Sequence, residues 1–188
     1  MTETSTGVSM TAAYRLQLQA GAGFDFARRI VPYLADLGVS HLYLSPVLQS
    51  VPGSLHGYDV VDHSRVSAAL GGEEGLVALA ATAHDHGLGV ICDVVPNHMA
   101  VPSATYLNSP LWRVLRDGRA AEAASWFDIE WDLCDGRVGL PFLDRPLGAV
   151  LAAGELTLGT HQGAPVVCYR DQVFPVAEGT SGGDVGHV

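Results

Sequence analysis

Two hydrophobic periodicities alternate along the N-terminal half of the chain. Apolar side chains at every second position, or short apolar runs, indicate β-strands, whereas apolar side chains three and four positions apart indicate helices. The pattern predicts strands at 14–19, 41–46 and 89–95, and helices at 24–37 and 73–86. Alternation of this kind predicts a parallel sheet with right-handed crossovers. Pro32 interrupts the first helical pattern, so that helix is expected either to kink or to begin late.

The repeat stops beyond Met99. A short helical pattern at 111–116 is followed by strand-like segments at 126–131, 138–143, 155–158, 166–169 and 173–176. We therefore expect four parts: a flexible leader (1–12), an α/β unit (13–99), a β-rich subdomain (100–177) and a glycine-rich frayed end (178–188). Residues 47–72, rich in Gly, Pro, Ser and His, are predicted to form a long loop, which in a compact domain is usually functional.

Composition narrows the class of protein. The chain has 188 residues, of which 48% are hydrophobic and 16% charged, as in a globular protein. Its formal charge of −10 argues against nucleic acid or an anionic membrane as partner, because both attract basic patches. No apolar run approaches the roughly 18 residues of a membrane span, and the first residues do not resemble a signal peptide. The sequence predicts a cytoplasmic protein. Its charge fits a neutral ligand, but solubility alone would explain the charge equally well.

Metal, disulfide and nucleotide chemistries find no support in the sequence. The three cysteines, Cys92, Cys134 and Cys168, are widely spaced and form no Cys-x-x-Cys pair, so three reduced thiols are expected. His56 and His63 flank Tyr58 without neighbours at the usual ligand spacing, so neither a metal nor a cofactor is expected. Dinucleotide, phosphate-loop and serine-hydrolase motifs are absent.

Polar side chains follow two of the predicted strands. His56-Gly57-Tyr58-Asp59 lies in the loop after the second strand, and Asp93-Val94-Val95-Pro96-Asn97-His98 begins where the third strand ends. Because the carboxyl ends of parallel strands meet at one edge of a sheet, both segments are expected at the same mouth.

Individual residues there carry alternative interpretations. Tyr58 could stack on the apolar face of a sugar, although taken alone it is more often a loop aromatic that covers the core. Asp59 and Asp62 could accept hydrogen bonds from a ligand, or could form Asx turns. His98 could donate to a sugar hydroxyl from its strand-end position.

Three further polar residues are expected to shape the mouth of the sheet. Asp93 and Asn97 are more often holders of loop geometry, through hydrogen bonds to the backbone, than ligand contacts. His56 is expected to shape the loop that carries Tyr58.

The two segments together resemble the α-amylase family of glycoside hydrolases. Segments 14–18, 42–48, 70–73 and 127–131 further resemble its trehalose-forming glucosylmutases, and the resemblance extends from 13 to 176. It implies the N-terminal part of a (β/α)8 TIM barrel, about three βα units, with a β-rich subdomain inserted after strand three. The remainder of that barrel is the partner that this fold implies.

The resemblance also implies roles for these residues. Substrate binding would fall to Tyr58, which stacks on the glucosyl unit at the cleavage point, to His98, which binds its hydroxyls, and to Asp62, which helps to shape the subsite. The site-shaping residues would be His56, Asp59, Asp93 and Asn97.

The implied reaction converts the reducing-end α-1,4 linkage of a malto-oligosaccharide to an α,α-1,1 linkage by a retaining double displacement. The family's catalytic carboxylates lie on later strands, so no catalytic residue is expected in this chain. The subdomain carboxylates Asp128, Glu130, Asp132 and Asp144 are not candidates. An amylase-type hydrolase or transglycosylase, and a carbohydrate-binding fragment without catalysis, remain alternatives.

Overall fold

The structure is a computed structural model that describes residues 7–180. It divides the chain into two compact units, Met1–Ala100 and Val101–Val188, and each has its own hydrophobic cluster. Residues 1–6 of the predicted leader and 181–188 of the predicted frayed end lie outside the described part.

The first unit is built on a parallel sheet. In chain order its elements are β1 (Ala13–Leu16), α1 (Phe24–Asp36), β2 (His41–Leu44), β3 (Leu48–Ser50), β4 (Val60–Val66), α2 (Gly72–Asp85) and β5 (Gly89–Cys92). The parallel sheet has the strand order β1-β2-β5, with Leu16 paired to Leu44 and Leu44 to Cys92. This arrangement confirms the predicted α/β class.

The core of this unit joins the sheet to both helices. Because side chains alternate along a strand, Leu42 and Leu44 are fully buried while Tyr43, between them, is only half-buried. The buried cluster combines residues of the strands with Phe24, Val31, Leu34, Leu79 and Ala83 of the helices. Burial of each large apolar side chain contributes roughly 2 kcal/mol. The core thereby leaves the opposite face of the sheet for polar side chains.

Helix α1 tolerates its proline. The helix begins at Phe24 and contains Pro32, so the expectation of a late start is wrong. Proline has no backbone N–H, so Pro32 cannot donate to the carbonyl of Arg28. The buried positions Val31 and Leu34 hold the helix on the core in spite of this loss.

The predicted loop at 47–72 contains more regular structure than the sequence indicated. Strands β3 and β4 form an antiparallel ladder whose register shifts twice, at Leu48/Gln49 and at Gln49/Ser50. These shifts break the period-2 alternation by which a strand is recognised in sequence. Residues 51–59, with the His-Gly-Tyr-Asp segment, connect the two strands.

The second unit has less β-structure than predicted. Its elements are α3 (Ser109–Asp117), α4 (Leu147–Ala152) and the antiparallel strands β6 (Leu156–His161), β7 (Ala164–Tyr169) and β8 (Gln172–Pro175). The strands expected at 126–131 and 138–143 are wrong, because both segments lack a ladder partner. Phe127, Ile129 and Trp131 alternate as in a strand but pack on the cluster around Val114. Helix α4 was not anticipated.

No helix within residues 7–180 combines the length and the apolar character needed to cross a membrane.

Candidate functional site

The candidate site lies on the open face of the parallel sheet. Arg15 of β1 and Tyr43 of β2 are register partners, and both belong to the face opposite the helices. Asp93 follows directly after β5. It comes two residues after Ile91, the register partner of Tyr43, so it continues the same face of the sheet. The strands thus bring three polar side chains, distant in sequence, to one end of the sheet.

A carboxylate with two tyrosine donors is at the centre of this site. The hydroxyl of Tyr58 donates to Oδ2 of Asp93 at 2.5 Å, and the hydroxyl of Tyr43 donates to the same oxygen at 3.3 Å. Nη2 of Arg15 donates to the Tyr58 hydroxyl oxygen at 3.3 Å. The hydrogen bond to Asp93 raises the pKa of Tyr58, and the bond from Arg15 opposes that rise. Tyr58 therefore stays a protonated donor at neutral pH.

The loop before Tyr58 is held by its own side chains. The Ser54 hydroxyl donates to Oδ1 of Asp59 at 2.5 Å and accepts from the Gly57 amide at 3.0 Å. The Tyr58 amide donates to Nδ1 of His56 at 3.1 Å, which places the proton of a neutral His56 ring on Nε2. The His56 and Tyr58 rings stack with centroids 6.1 Å apart. Asp59 and His56 accordingly hold the conformation of the loop that presents Tyr58.

Gly57 allows this loop to approach the end of β2. Its φ is +78°, in the left-handed region, and a Cβ at this position would lie 2.8 Å from the carbonyl oxygen of Pro46. Any side chain would therefore be strained and would also displace the loop.

His98 joins the same loop from the other side. Its Nε2 lies 3.2 Å from the carbonyl oxygen of Tyr58, which fits a donated hydrogen bond. Nearby, Nε2 of His63 lies 2.8 Å from the carbonyl oxygen of Val95, connecting β4 to the segment after β5. Asn97 is exposed and forms no side-chain hydrogen bond within the described part of the chain.

Asp62 stands apart from this network. Its Oδ1 accepts from the amide and the hydroxyl of Ser64, and its Oδ2 accepts from Nε of Arg65 at 2.9 Å. These interactions, the Ser64 hydroxyl first among them, lower the pKa of Asp62. Across residues 7–180 no hydrogen bond links Asp62 to Tyr58 or His98.

A family model for the α-amylase catalytic domain matches residues 28–127, which is 100 of the 188 residues. The chain belongs to the α-amylase family. The matched range includes both motifs of the candidate site.

Within the α-amylase family the chain is similar to maltooligosyl trehalose synthases. It is 45% identical over 166 residues to a putative maltooligosyl trehalose synthase of Mycobacterium tuberculosis (strain CDC 1551 / Oshkosh), covering 81% of this chain and 22% of that protein. The structure of maltooligosyltrehalose synthase from Arthrobacter ramosus matches with a TM-score of 0.84 and 45% identity, over 94% of this chain and 22% of that one. A further crystal structure of a maltooligosyl trehalose synthase gives a TM-score of 0.86 and 42% identity, over 95% and 24%.

These matches confirm the resemblance inferred from the motifs. The chain spans between a fifth and a quarter of the length of these relatives, 22% to 24%.

Sequence reasoning missed two members of this candidate site, Arg15 and Tyr43. Both lie within segments that carried the resemblance, yet neither was a candidate. The signal was available in the strand predicted at 14–19, where Arg15 and Gln17 alternate with the buried Leu16 and Leu18. Two polar residues on one face of a predicted buried strand indicate a face that does not join the core.

Two of the subdomain carboxylates, Asp132 and Asp144, are engaged locally. Oδ1 of Asp144 accepts from the Tyr169 hydroxyl at 2.7 Å and Oδ2 from Arg170 at 2.6 Å, and both contacts lower the pKa of Asp144. Asp132 pairs with Arg119 at 2.7 Å. Within the described residues no group of three or more His, Cys, Asp or Glu side chains is placed to hold a metal ion.

Proposed function

We propose that this chain forms part of a trehalose-forming glucosylmutase that acts on malto-oligosaccharides. In this proposal residues 13–99 are the N-terminal portion of a (β/α)8 TIM barrel, and 100–177 form a subdomain inserted after its third strand. The observation that carries it is the Tyr58–Asp93–His98 cluster at the carboxyl ends of parallel strands, in a chain 45% identical to such synthases. Barrel enzymes bind their substrates at that end of the sheet.

Tyr58 would bind the glucosyl unit through its ring. Its hydroxyl is engaged by Asp93 and Arg15, and one ring face stacks on His56, so the other ring face is the part left for an apolar sugar face. The residue is 38% exposed, so it is accessible from solvent.

His98 would bind a sugar hydroxyl. With Nε2 donating to the Tyr58 carbonyl oxygen, a neutral ring presents Nδ1 as an acceptor. Donation to the sugar would require Nε2 to leave that carbonyl. Asp62 remains a predicted substrate-binding residue, and Asn97 a predicted site-shaping one.

The proposed reaction is an isomerisation that consumes no water. A carboxylate supplied by a part of the enzyme outside this chain attacks C1 of the penultimate glucosyl unit, and an acid protonates the departing O4 of the terminal glucose. The released glucose then attacks the glycosyl-enzyme with its anomeric hydroxyl, whose proton returns to the same acid/base residue. One α-1,4 bond is broken and one α,α-1,1 bond is formed. Water must be excluded, because otherwise hydrolysis releases the glucose.

Two alternatives make different predictions for the same assay. An amylase-type hydrolase or transglycosylase would release glucose or new reducing ends, and a carbohydrate-binding fragment would bind without turnover. Location in the cytoplasm remains a prediction from the sequence.

The first experiment incubates two proteins with maltopentaose and follows loss of reducing ends alongside release of glucose. One protein is the 188-residue chain, and the other is the Arthrobacter ramosus synthase with its equivalent segment replaced by this chain, named here the hybrid synthase. We expect the chain alone to be inactive and the hybrid synthase to remove reducing ends without releasing glucose. Glucose release by the hybrid as its main activity would favour a hydrolase. A soluble, folded hybrid without activity would refute the proposal.

Variants in the hybrid synthase test the two principal residues. We expect Tyr58→Ala and His98→Ala each to lower turnover by roughly a hundredfold, with little change in thermal unfolding. Tyr33→Ala is the matched control, because Tyr33 is an exposed tyrosine of α1 on the helical side of the sheet. Unchanged turnover in both site variants would show that Tyr58 and His98 have structural roles and do not bind the substrate.

A further inference from the structure

The guanidinium of Arg15 makes two directed contacts on the open face of the sheet. Nη2 donates to the Tyr58 hydroxyl oxygen at 3.3 Å, and Nη1 donates to Oε1 of Gln17 at 3.0 Å. The guanidinium carbon also lies 5.7 Å from the centroid of the Tyr43 ring, within the range of a cation–π interaction. One side chain therefore touches both tyrosines that donate to Asp93.

Gln17 extends this contact to the loop that carries Tyr58. Its Nε2 donates to the carbonyl oxygen of Leu55 at 3.1 Å and lies 3.4 Å from that of His56. These are the two residues that precede Gly57. The loop is thus held at its backbone by Gln17, the residue after β1, and at its tyrosine by Arg15 of β1.

The Tyr58 hydroxyl lies between a cation and a carboxylate. No ion pair within 4.0 Å joins Arg15 to Asp93 in the described part of the chain. The hydroxyl instead accepts from Arg15 and donates to Asp93, which fixes the direction of its proton. A hydroxyl held from both sides fixes the ring to which it is attached, and an Arg fork restricts geometry more than an ammonium would.

We propose that Arg15, together with Gln17, is a positioning residue that fixes the orientation of the Tyr58 ring for the sugar. The proposal rests on the proposed function, since it assigns Arg15 a role in that same site. Arg15 acts through the Tyr58 hydroxyl and not by contact with the substrate. The loss of Arg15 would leave the Tyr58 hydroxyl held by Asp93 alone.

A double-mutant cycle in the hybrid synthase separates action through Tyr58 from direct contact with the substrate. We expect Arg15→Met and Tyr58→Phe each to lower kcat/KM about tenfold. The kcat/KM of the double variant should then be close to that of the less active single variant. A combined loss of about a hundredfold would show independent roles and would overturn the proposal. Arg28→Met is the control, because Arg28 forms an exposed ion pair with Asp25 on α1.

Conservative replacement gives a second criterion. Arg15→Lys keeps the charge but cannot donate to Tyr58 and Gln17 from a planar fork, so only partial recovery of kcat/KM is expected. Full recovery would show that charge alone matters, and the positioning role would be wrong. Gln17→Leu is expected to reproduce part of the Arg15→Met loss.

A measurement without substrate distinguishes failure of this proposal from failure of the proposed function. The 13Cζ resonance of Tyr58 in the substrate-free hybrid synthase, assigned by its absence in Tyr58→Phe, reports hydrogen bonding at the Tyr58 hydroxyl. We expect Arg15→Met to shift this resonance and to raise the pKa of Tyr58, because Arg15 now opposes the effect of Asp93. An unchanged Tyr58 resonance would refute the contact itself, whatever the enzyme's activity. If the resonance shifts but the enzyme proves to be a hydrolase, the positioning role of Arg15 stands and the proposed function is wrong.

Discussion

At the scale of single residues, the site is defined by which side chains already have partners. The hydroxyls of Tyr43 and Tyr58 both donate to Oδ2 of Asp93, so this oxygen is engaged before any ligand arrives. The partners of Asp93 are tyrosine hydroxyls and not the backbone groups that the sequence analysis expected, and its site-shaping role stays a prediction. The exposed ring of Tyr58 and the exposed imidazole of His98 are the surfaces left for a ligand.

Asp62 is expected to stabilise the fold only while it is ionised. Its pKa lies below the ordinary value near 3.8 because of hydrogen bonds from Ser64 and the charge of Arg65. A carboxyl with a lower pKa in the folded state stabilises the fold above its unfolded pKa and loses that contribution as the pH falls through the folded pKa. We expect Asp62→Asn to lower the free energy of unfolding at pH 7 by up to about 1 kcal/mol. The difference from the parent chain should shrink toward pH 3.

Urea denaturation of the two proteins at both pH values checks this expectation. Asp36→Asn is the control, because Asp36 is exposed at the C-terminal end of α1, where a negative charge opposes the helix dipole. A difference between Asp62→Asn and the parent that is equal at pH 7 and pH 3 would contradict the role of ionisation.

At the scale of elements, the connection between β3 and β4 decides where Tyr58 lies. Its conformation depends on hydrogen bonds that Ser54, Asp59 and Gln17 make, and on the close approach of Gly57 to Pro46. The helices α1 and α2 follow local periodicity and were predicted to within one residue at each end. The β3–β4 hairpin was not, because its register shifts remove the alternation that identifies a strand.

Alanine substitutions at two glycines of this connection separate backbone strain from a steric clash of the added Cβ. Gly57 and Gly53 both have positive φ, +78° and +86°, but only a Cβ on Gly57 would meet another atom, the Pro46 carbonyl oxygen at 2.8 Å. We expect Gly53→Ala to cost about 1 kcal/mol through backbone strain alone. Gly57→Ala should cost about 2 kcal/mol or more and should also change the 13Cζ resonance of Tyr58, because the loop must move.

Denaturant unfolding of both variants measures the two costs. Equal losses of stability, with the Tyr58 resonance unchanged in Gly57→Ala, would show that close packing against Pro46 does not position the loop.

At the scale of the whole molecule, the parallel sheet has two open edges. Within the described residues β1 and β5 each pair only with β2, so one side of each carries backbone groups without a strand partner. Exposed edges of this kind recruit further strands. We therefore expect the 188-residue chain to self-associate or to fold only partly.

Tyr14→Lys tests whether the β1 edge drives association. Tyr14 lies on that edge strand and is 43% exposed, and lysine on an edge strand opposes strand addition. We expect the dissociation constant of the assembly, measured by sedimentation, to rise at least about tenfold. Tyr33→Lys adds the same charge to the surface of α1 and should have little effect. A parent chain that is a monodisperse monomer with a sharp, reversible unfolding transition would contradict this prediction.

The sequence by itself determined the features that local physical chemistry controls. Burial periodicity placed α1, α2 and the three parallel strands, since each depends on side chains a few positions apart. The two motifs identified Tyr58, Asp93 and His98 as members of one site, and hydrogen bonds link Tyr58 to both of the others.

Only the tertiary structure decided which other residues complete the site. Tyr43 meets Asp93 across 50 positions of sequence because strand register aligns β2 with β5. Arg15 meets Tyr58 across 43 positions because the connection between β3 and β4 lies beside it, held by hydrogen bonds from Gln17. Asp62, a candidate on the strength of its motif, instead bonds to Ser64 and Arg65 within its own strand. A hydrogen-bond partner depends on position in space and direction of the side chain, and neither follows from residue type or spacing alone.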